Sequence, residues 1–379
     1  MDLELDEERL GDPEALAACD PGGMLPAAAS AAAQVRIAAR AARDAGLSRI
    51  AEDGRPRAVV VAGLDGSGVA GDVLAAVCGV GCPVAIHTIR DYTLPGWVGA
   101  ADLVIAVSCS GTTEETLSAA REAVRRGCRL LAVGAPDSPL AAVATQAGGV
   151  FVPVEAAAPP RAMLWALAVP LVMAAAELRL CDPGPDPYES LAAALEDLGA
   201  RCGPTTEPLV NPAKGLAREL VGTVPMIWGS SPLAAVAAYR FSCQLAENAK
   251  YPSVHGALPE AGHNQVVAFD GWFGADTEPV DIFRDRVEDP LGPPRLRVVL
   301  LRDTEEHPRT ALRREAVARL AAERGIAMSE IPAEGDTPLA RLASLIAITD
   351  YASVYLALAY GIDPAPVEII DRLRSEVAG

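Results

Sequence analysis

Short apolar runs alternate with alanine-rich stretches along most of this chain. RAVVVAG, PVAIHTI, DLVIAVS and CRLLAVGA are β-rich, and helical segments such as TEETLSAAREAVRRG lie between them. This is βαβ patterning, which predicts a parallel sheet covered by helices on both faces. The second half repeats the layout. VPMIWGSSPLAAVAAYRF echoes AVVVAGLDGSGVAGDVLA as strand, small-residue turn and helix. RLRVVLLRDTEEHPRTALRREAVARLAAERGIAMSEIP echoes ADLVIAVSCSGTTEETLSAAREAVRRGCRLLAVGA, although its loop has lost the serines. Two similar α/β domains are therefore expected, the first with the more complete polar loops, and such sheets bind ligands at the carboxyl ends of their strands. The proline-bounded run PGPDPYESLAAALEDLGARCGPTTEPLVNP reads as a helical connector. The expected division is an N-terminal helical arm over residues 1–50, a first domain over 51–185, the connector over 186–215 and a second domain over 216–379.

Composition narrows the classes of function. The chain has 379 residues, 51% of them apolar, enough for full hydrophobic cores. Its net charge of −18 comes from acids spread along the chain, which disfavours a nucleic-acid partner. The start, MDLELDEERL, is acidic where a secretory signal is basic and then apolar. The longest uncharged run, AMLWALAVPLVMAAAEL, is too short to span a membrane and contains Pro170, so it reads as a buried helix. The eight cysteines are scattered without paired spacing, and neither a disulfide framework nor a zinc site is signalled. These features predict a cytoplasmic protein with no membrane or nucleic-acid partner and no bound metal.

Two loops carry the candidate chemistry. GSGVAG (Gly66, Gly68, Gly71) is formally a G-x-G-x-x-G turn, and Asp91 lies about 20 residues on, so a dinucleotide fingerprint is met on paper. A second loop, VSCSGTTEET, competes with that reading. Its Ser108, Ser110, Thr112 and Thr113 sit between a strand and a helix start, where hydroxyl and backbone N–H donors converge on an anion. Two adjacent donor-rich loops suit one phosphate monoester on a small ligand, whereas a nicotinamide would leave the serine loop without a role. The alternative for this loop is a plain helix cap, for which one hydroxyl suffices. Further along, Glu247 falls near the end of a helix stopped by Pro252, where the helix dipole disfavours a carboxylate. With His263 in the turn that follows, it supplies the parts for two proton transfers, the alternative being a solvated helix end with Glu247 and Lys250 exposed. Arg161, between a proline pair and an apolar helix, is either a fixed cation beside an anion or a surface side chain with a buried stem.

Taken in order, GLDGSGVAGD, SCSGTTEETL, PPRAMLWALAVPLV, AENAKYPSVHG, GHNQV and YASVYLALAYGIDPAPVEIIDRLR resemble the bifunctional phosphoglucose/phosphomannose isomerase family, over nearly the whole chain after about residue 50. The resemblance implies two flavodoxin-like sugar-isomerase (SIS) domains and a homodimer whose active sites draw residues from both subunits. It implies interconversion of aldose and ketose hexose 6-phosphates through a cis-enediol, with no metal or nucleotide cofactor. Gly66, Ser67, Ser108, Ser110 and Thr113 then match the phosphate loops, and Glu247 the base that moves the proton. His263 matches the residue assisting ring opening, Arg161 the cation near the enediolate, and Arg374 the nearest counterpart of a C-terminal lysine. The departures are specific: Leu64 and Asp65 stand in the first loop where the family usually has methionine and glycine, and Cys109 and Thr112 replace tyrosine and asparagine in the second. Ala246, Gly262 and Gln265 are likewise substitutions, and arginine at 374 keeps the charge of lysine but does not readily donate a proton. Accumulated substitutions of this kind also suit a catalytically weakened SIS protein that binds a phosphosugar as a sensor or partner subunit.

Overall fold

The computed structural model describes residue 6, residues 8–274 and residues 295–378. Three helices open the chain, α1 (Pro13–Cys19), α2 (Met24–Ala29) and α3 (Ala31–Asp44). Strands and helices then alternate through β1 (Ala58–Ala62), α4 (Asp65–Cys78), β2 (Ala85–Ile89), β3 (Leu103–Ser108), α5 (Glu114–Arg125), β4 (Arg129–Gly134), α6 (Pro139–Gln146), β5 (Val150–Pro153) and α7 (Leu164–Glu177). After α8 (Pro187–Cys202) and α9 (Pro212–Leu220) comes a second alternation. It runs β6 (Thr223–Gly229), α10 (Pro232–Ala249), β7 (Val254–Ala257), β8 (Arg295–Arg302), α11 (Pro308–Glu323), β9 (Ala327–Pro332), α12 (Pro338–Ala359) and α13 (Glu368–Ala378).

Two compact units result. One comprises residues 29–197 with 335–343, the other residues 1–28, 198–334 and 344–379. The first holds a five-stranded parallel sheet in the order β2-β1-β3-β4-β5. Strands β1 and β3 are buried at every position and β4 at all but its first, which is why they read as unbroken apolar runs. Val60, Ala62, Val104, Ala106, Leu130 and Ala132 share one core with Leu117, Ala120 and Leu140 of α5 and α6. Helix α7 is buried from Leu164 to Ala175, Pro170 included, and packs on α3 and α4. Close packing of α4 on β1 requires Gly71, because a Cβ there would lie 2.8 Å from Val61 Cγ1.

The second unit holds a four-stranded parallel sheet in the order β7-β6-β8-β9, the first layout less one strand. Its core joins Trp228 and Val298 of the sheet to Val317 of α11 and to Phe269, whose ring stacks on Trp228 at 5.9 Å. Both units are thus parallel sheets flanked by helices, as the periodicity predicts. Helix α12 is long and apolar enough to cross a membrane by length and composition, but 89% of its apolar window is buried inside the protein.

Candidate active site

In the first unit the strand order reverses between β1 and β3, and the crevice at such a switch point is where open α/β sheets take ligands. The two loops singled out by sequence leave the carboxyl ends of these two strands. Neither α4 nor α5, which open from them, has a side-chain cap. By contrast α6, α9 and α10 are capped by Ser138, Asn211 and Ser231. Uncapped first-turn amides and the helix dipole favour an anion at this edge.

The hydroxyls of the second loop form a chain. Ser108 Oγ lies 2.8 Å from Thr113 Oγ1 and 3.5 Å from Ser110 Oγ, and Ser110 Oγ lies 2.9 Å from Thr112 Oγ1. Ser108 is buried, while Ser110 and Thr112 open to solvent. Thr113 occupies the cap position of α5 yet spends its hydroxyl on Ser108, so the plain-cap reading does not describe this loop. In the first loop Gly66 and Ser67 are buried in the first turn of α4. A Cβ on Gly66 would lie 3.5 Å from the Pro160 carbonyl oxygen and 3.9 Å from Cα of Arg161. The short 3-10 turn Pro160–Ala162 therefore runs directly against the start of α4. Arg161 is 4% exposed, so it is not a surface side chain but a cation buried within the unit that carries both loops.

Asp65, the first residue of α4, has a left-handed φ of +50° and is exposed. Aspartate tolerates that backbone better than most side chains. Its charge also reaches the second loop: the buried Cys109 thiol is pushed up by burial and then by Asp65. The charge of Asp65 is therefore felt in the second loop, among groups otherwise suited to an anion.

The remaining candidates lie in the second unit. Glu247 is half-buried in the last turn of α10. Lys250 follows in the left-handed conformation with φ +55°, and its ammonium donates to the carbonyls of Glu247 at 2.7 Å and Asn248 at 3.3 Å. The same ammonium donates to the carbonyls of Pro364 at 3.3 Å and Pro366 at 2.8 Å, tying the root of α13 to the helix end that bears Glu247. This is not a merely solvated helix end. Arg374, further along α13, is exposed and pairs with Asp371 at 3.5 Å. The sole sequence signal for the Lys250 clasp was a cation immediately past the last helical turn.

His263 is exposed just after a 3-10 turn, Glu260–Gly262. The segment is fixed by Gln265, whose Oε1 accepts from Trp228 Nε1 at 2.6 Å and whose Nε2 donates to the His255 carbonyl at 3.0 Å. Gln265 therefore has a positioning role that its type alone did not announce. The chain near Glu247 is anchored elsewhere: Tyr251 donates its hydroxyl to the carbonyls of Leu220 at 3.0 Å and Thr223 at 2.6 Å. Thr223 begins β6 and Trp228 lies at its other end, about 17 Å away in an extended strand. Within one chain, Glu247 and His263 are thus attached to opposite ends of β6.

The second unit has its own switch point, between β6 and β8. There the buried Asp303 accepts from Ser231 Oγ at 2.7 Å, and its backbone N–H donates to Ser230 Oγ at 2.8 Å. Among the described residues no group of three or more His, Cys, Asp or Glu side chains is arranged to hold a metal ion.

Residues 209–377 match the family model described as the bacterial phospho-glucose isomerase C-terminal SIS domain. A bifunctional phosphoglucose/phosphomannose isomerase of Caldicellulosiruptor bescii is 33% identical over 320 residues, which is 84% of this chain and 89% of that protein. One from Aquifex aeolicus is 30% identical over 332 residues, 86% of this chain and 93% of that protein. Among solved structures, a hypothetical protein of Thermus thermophilus superposes with a TM-score of 0.67 at 16% identity, covering 98% of this chain and 94% of that one, a likeness of fold.

Proposed function

Because this chain belongs to the bifunctional phosphoglucose/phosphomannose isomerase family, we propose that it interconverts aldose and ketose hexose 6-phosphates, turning glucose 6-phosphate or mannose 6-phosphate into fructose 6-phosphate. The phosphate is held by the first turns of α4 and α5 with Gly66, Ser67, Ser108, Ser110 and Thr113. Glu247 takes the proton from C2 of the open-chain aldose and returns it to C1, and the cis-enediol passes between the two steps. Arg161 stabilises negative charge as it develops on the enediol oxygen. His263 assists ring opening, and Arg374 contributes a cation from α13. The working unit is a homodimer in the cytoplasm, with His263 supplied to each site by the partner subunit. Two groups serving one small sugar must come within hydrogen-bond reach of it, which their attachment to opposite ends of β6 disfavours within a single chain. The exposed apolar stripe of Ile369, Leu373 and Val377 on α13 suits such an association.

The observation that carries the reading is the pair of uncapped helices at one switch point, with a buried arginine packed against the first. Purified protein is expected to produce fructose 6-phosphate from either aldose phosphate. Glu247→Gln is expected to lower kcat by about 10² to 10⁴ while phosphosugar binding and the thermal midpoint stay in place. Asp65, an exposed carboxylate in the first loop whose charge reaches the second, favours one second reading, a phosphosugar-binding protein with weakened catalysis. A thermal shift with sugar phosphates but no turnover would select it, and absence of both would overturn the two together.

A further inference from the structure

Cys78 and Cys82, four residues apart, meet the distant Cys181 at one corner of the first unit. Cys78 ends α4, Cys82 lies in the turn before β2, and Cys181 follows α7. The Cys78 thiol interacts with those of Cys181 and Cys82, which raise it together with burial. Cys78 is buried, whereas Cys82 and Cys181 are partly exposed. Cys78 and Cys181 line a cleft of about 860 Å³ whose walls also include Arg55, Arg179 and Asp182. Nothing in the hexose-phosphate chemistry uses this corner, which lies at the far end of α4 from the first glycine loop.

We propose that Cys181 and Cys78 are a reversible oxidation site, in which Cys181 reacts with a peroxide entering the cleft and Cys78 resolves the product to a disulfide. The Cys181 thiolate attacks one peroxide oxygen, forming an S–O bond as the O–O bond breaks and hydroxide leaves. Sulfur is oxidised by two electrons and the peroxide is reduced. The Cys78 sulfur then attacks the sulfenic sulfur, forming the S–S bond. The S–O bond breaks, and hydroxide leaves as water with the proton that Cys78 gives up. Two thiols and one peroxide thus yield one disulfide and two waters. The division of roles follows from exposure, since Cys181 is partly open on the cleft and Cys78 is buried. Interaction with Cys78 lowers the Cys181 thiol against the opposing effects of burial and Asp182. Interaction with Cys181, with burial, raises that of Cys78. A thiol that is more readily ionised and open to a cleft is the one that reacts first.

Full-length reduced protein would be treated with stoichiometric hydrogen peroxide, quenched by alkylation and mapped by peptide mass spectrometry. The expected product is a Cys78–Cys181 linked peptide that dithiothreitol reverses, with Cys181 consumed at least about tenfold faster than the comparably exposed Cys19 and Cys243. In Cys78→Ser, Cys181 is expected to accumulate as a sulfenic acid trapped by a dimedone reagent. Should that variant fail to fold, the relative thiol rates in the native protein still decide. Equal rates at Cys181, Cys19 and Cys243, or a dominant disulfide between any other pair, would overturn the proposal. None of these readouts depends on isomerase activity.

Discussion

Asp65 is the residue of the first loop whose charge opposes the proposed ligand. A carboxylate about 5 Å from a phosphate charge, at an effective dielectric of about 20, costs about 3 kcal/mol per unit charge. Asp65→Gly is therefore expected to tighten fructose 6-phosphate binding by up to about a hundredfold in calorimetry. An unchanged affinity would mean that the carboxylate is held off the anion. Glycine is also at ease at φ +50°, so the fold should not suffer from the change. That aspartate could occupy this turn was readable from its type, because its tolerance of left-handed backbone is local. Which way its charge acts was not, since Cys109 approaches from another strand. Arg161 is a similar case: its position beside prolines fits a surface or a buried cation equally, and only the packing of the 160–162 turn on α4 decides.

Among the elements, α10 is held by buried polar contacts as well as apolar ones. Arg240 donates to Asp350 of α12 at 2.7 and 2.9 Å, and Asn248 Nδ2 donates to Ser353 Oγ at 2.9 Å. Arg240, Gln244 and Asn248 are spaced by four and all buried, so this polar stripe is continuous along the helix that carries Glu247. Arg240→Ala leaves Asp350 without its paired cation and is expected to lower stability by about 3–5 kcal/mol at neutral pH. Burial already holds the Asp350 carboxyl above its usual range against the pull of Arg240. A carboxyl raised in the folded state supports folding at low pH and loses that contribution as pH rises through its folded pKa. Loss of Arg240 raises it further, so the variant's penalty should shrink on acidification toward about pH 4. Urea unfolding at the two pH values checks this.

The same scale shows which strands could be read in advance. β1, β3 and β4 are covered on both faces and announce themselves as apolar runs. β5 has four residues, and β7 is Val-His-Gly-Ala with two of its four positions exposed, so both are defined by backbone pairing with a neighbour rather than by their own composition. The candidate loops were legible because glycines and hydroxyls at strand ends are local signals. The Gln265 bridge and the Lys250 clasp were not, because their partners are carbonyls and an indole contributed by other elements.

For the whole molecule, the placement of Glu247 and His263 at opposite ends of β6 makes the proposed dimer testable without a structure of it. Homodimers of Glu247→Gln and of His263→Ala should each be inactive. If each site combines Glu247 of one subunit with His263 of the other, mixed dimers contain one intact site. Random re-association of equal amounts should then restore about a quarter of wild-type activity, since about half the dimers are mixed and each has one site of two. Recovery near zero would place both residues in the same chain's site.

Asp303 bears on how many ligands the duplicated architecture can accept. Its carboxylate lies at the second switch point, bonded by the serine that caps α10, so the place corresponding to the first unit's proposed anion crevice already has an occupant of the same sign. A phosphate entering there would have to expel it. Titration with fructose 6-phosphate should therefore saturate at one equivalent per chain, although each chain carries two copies of the sheet.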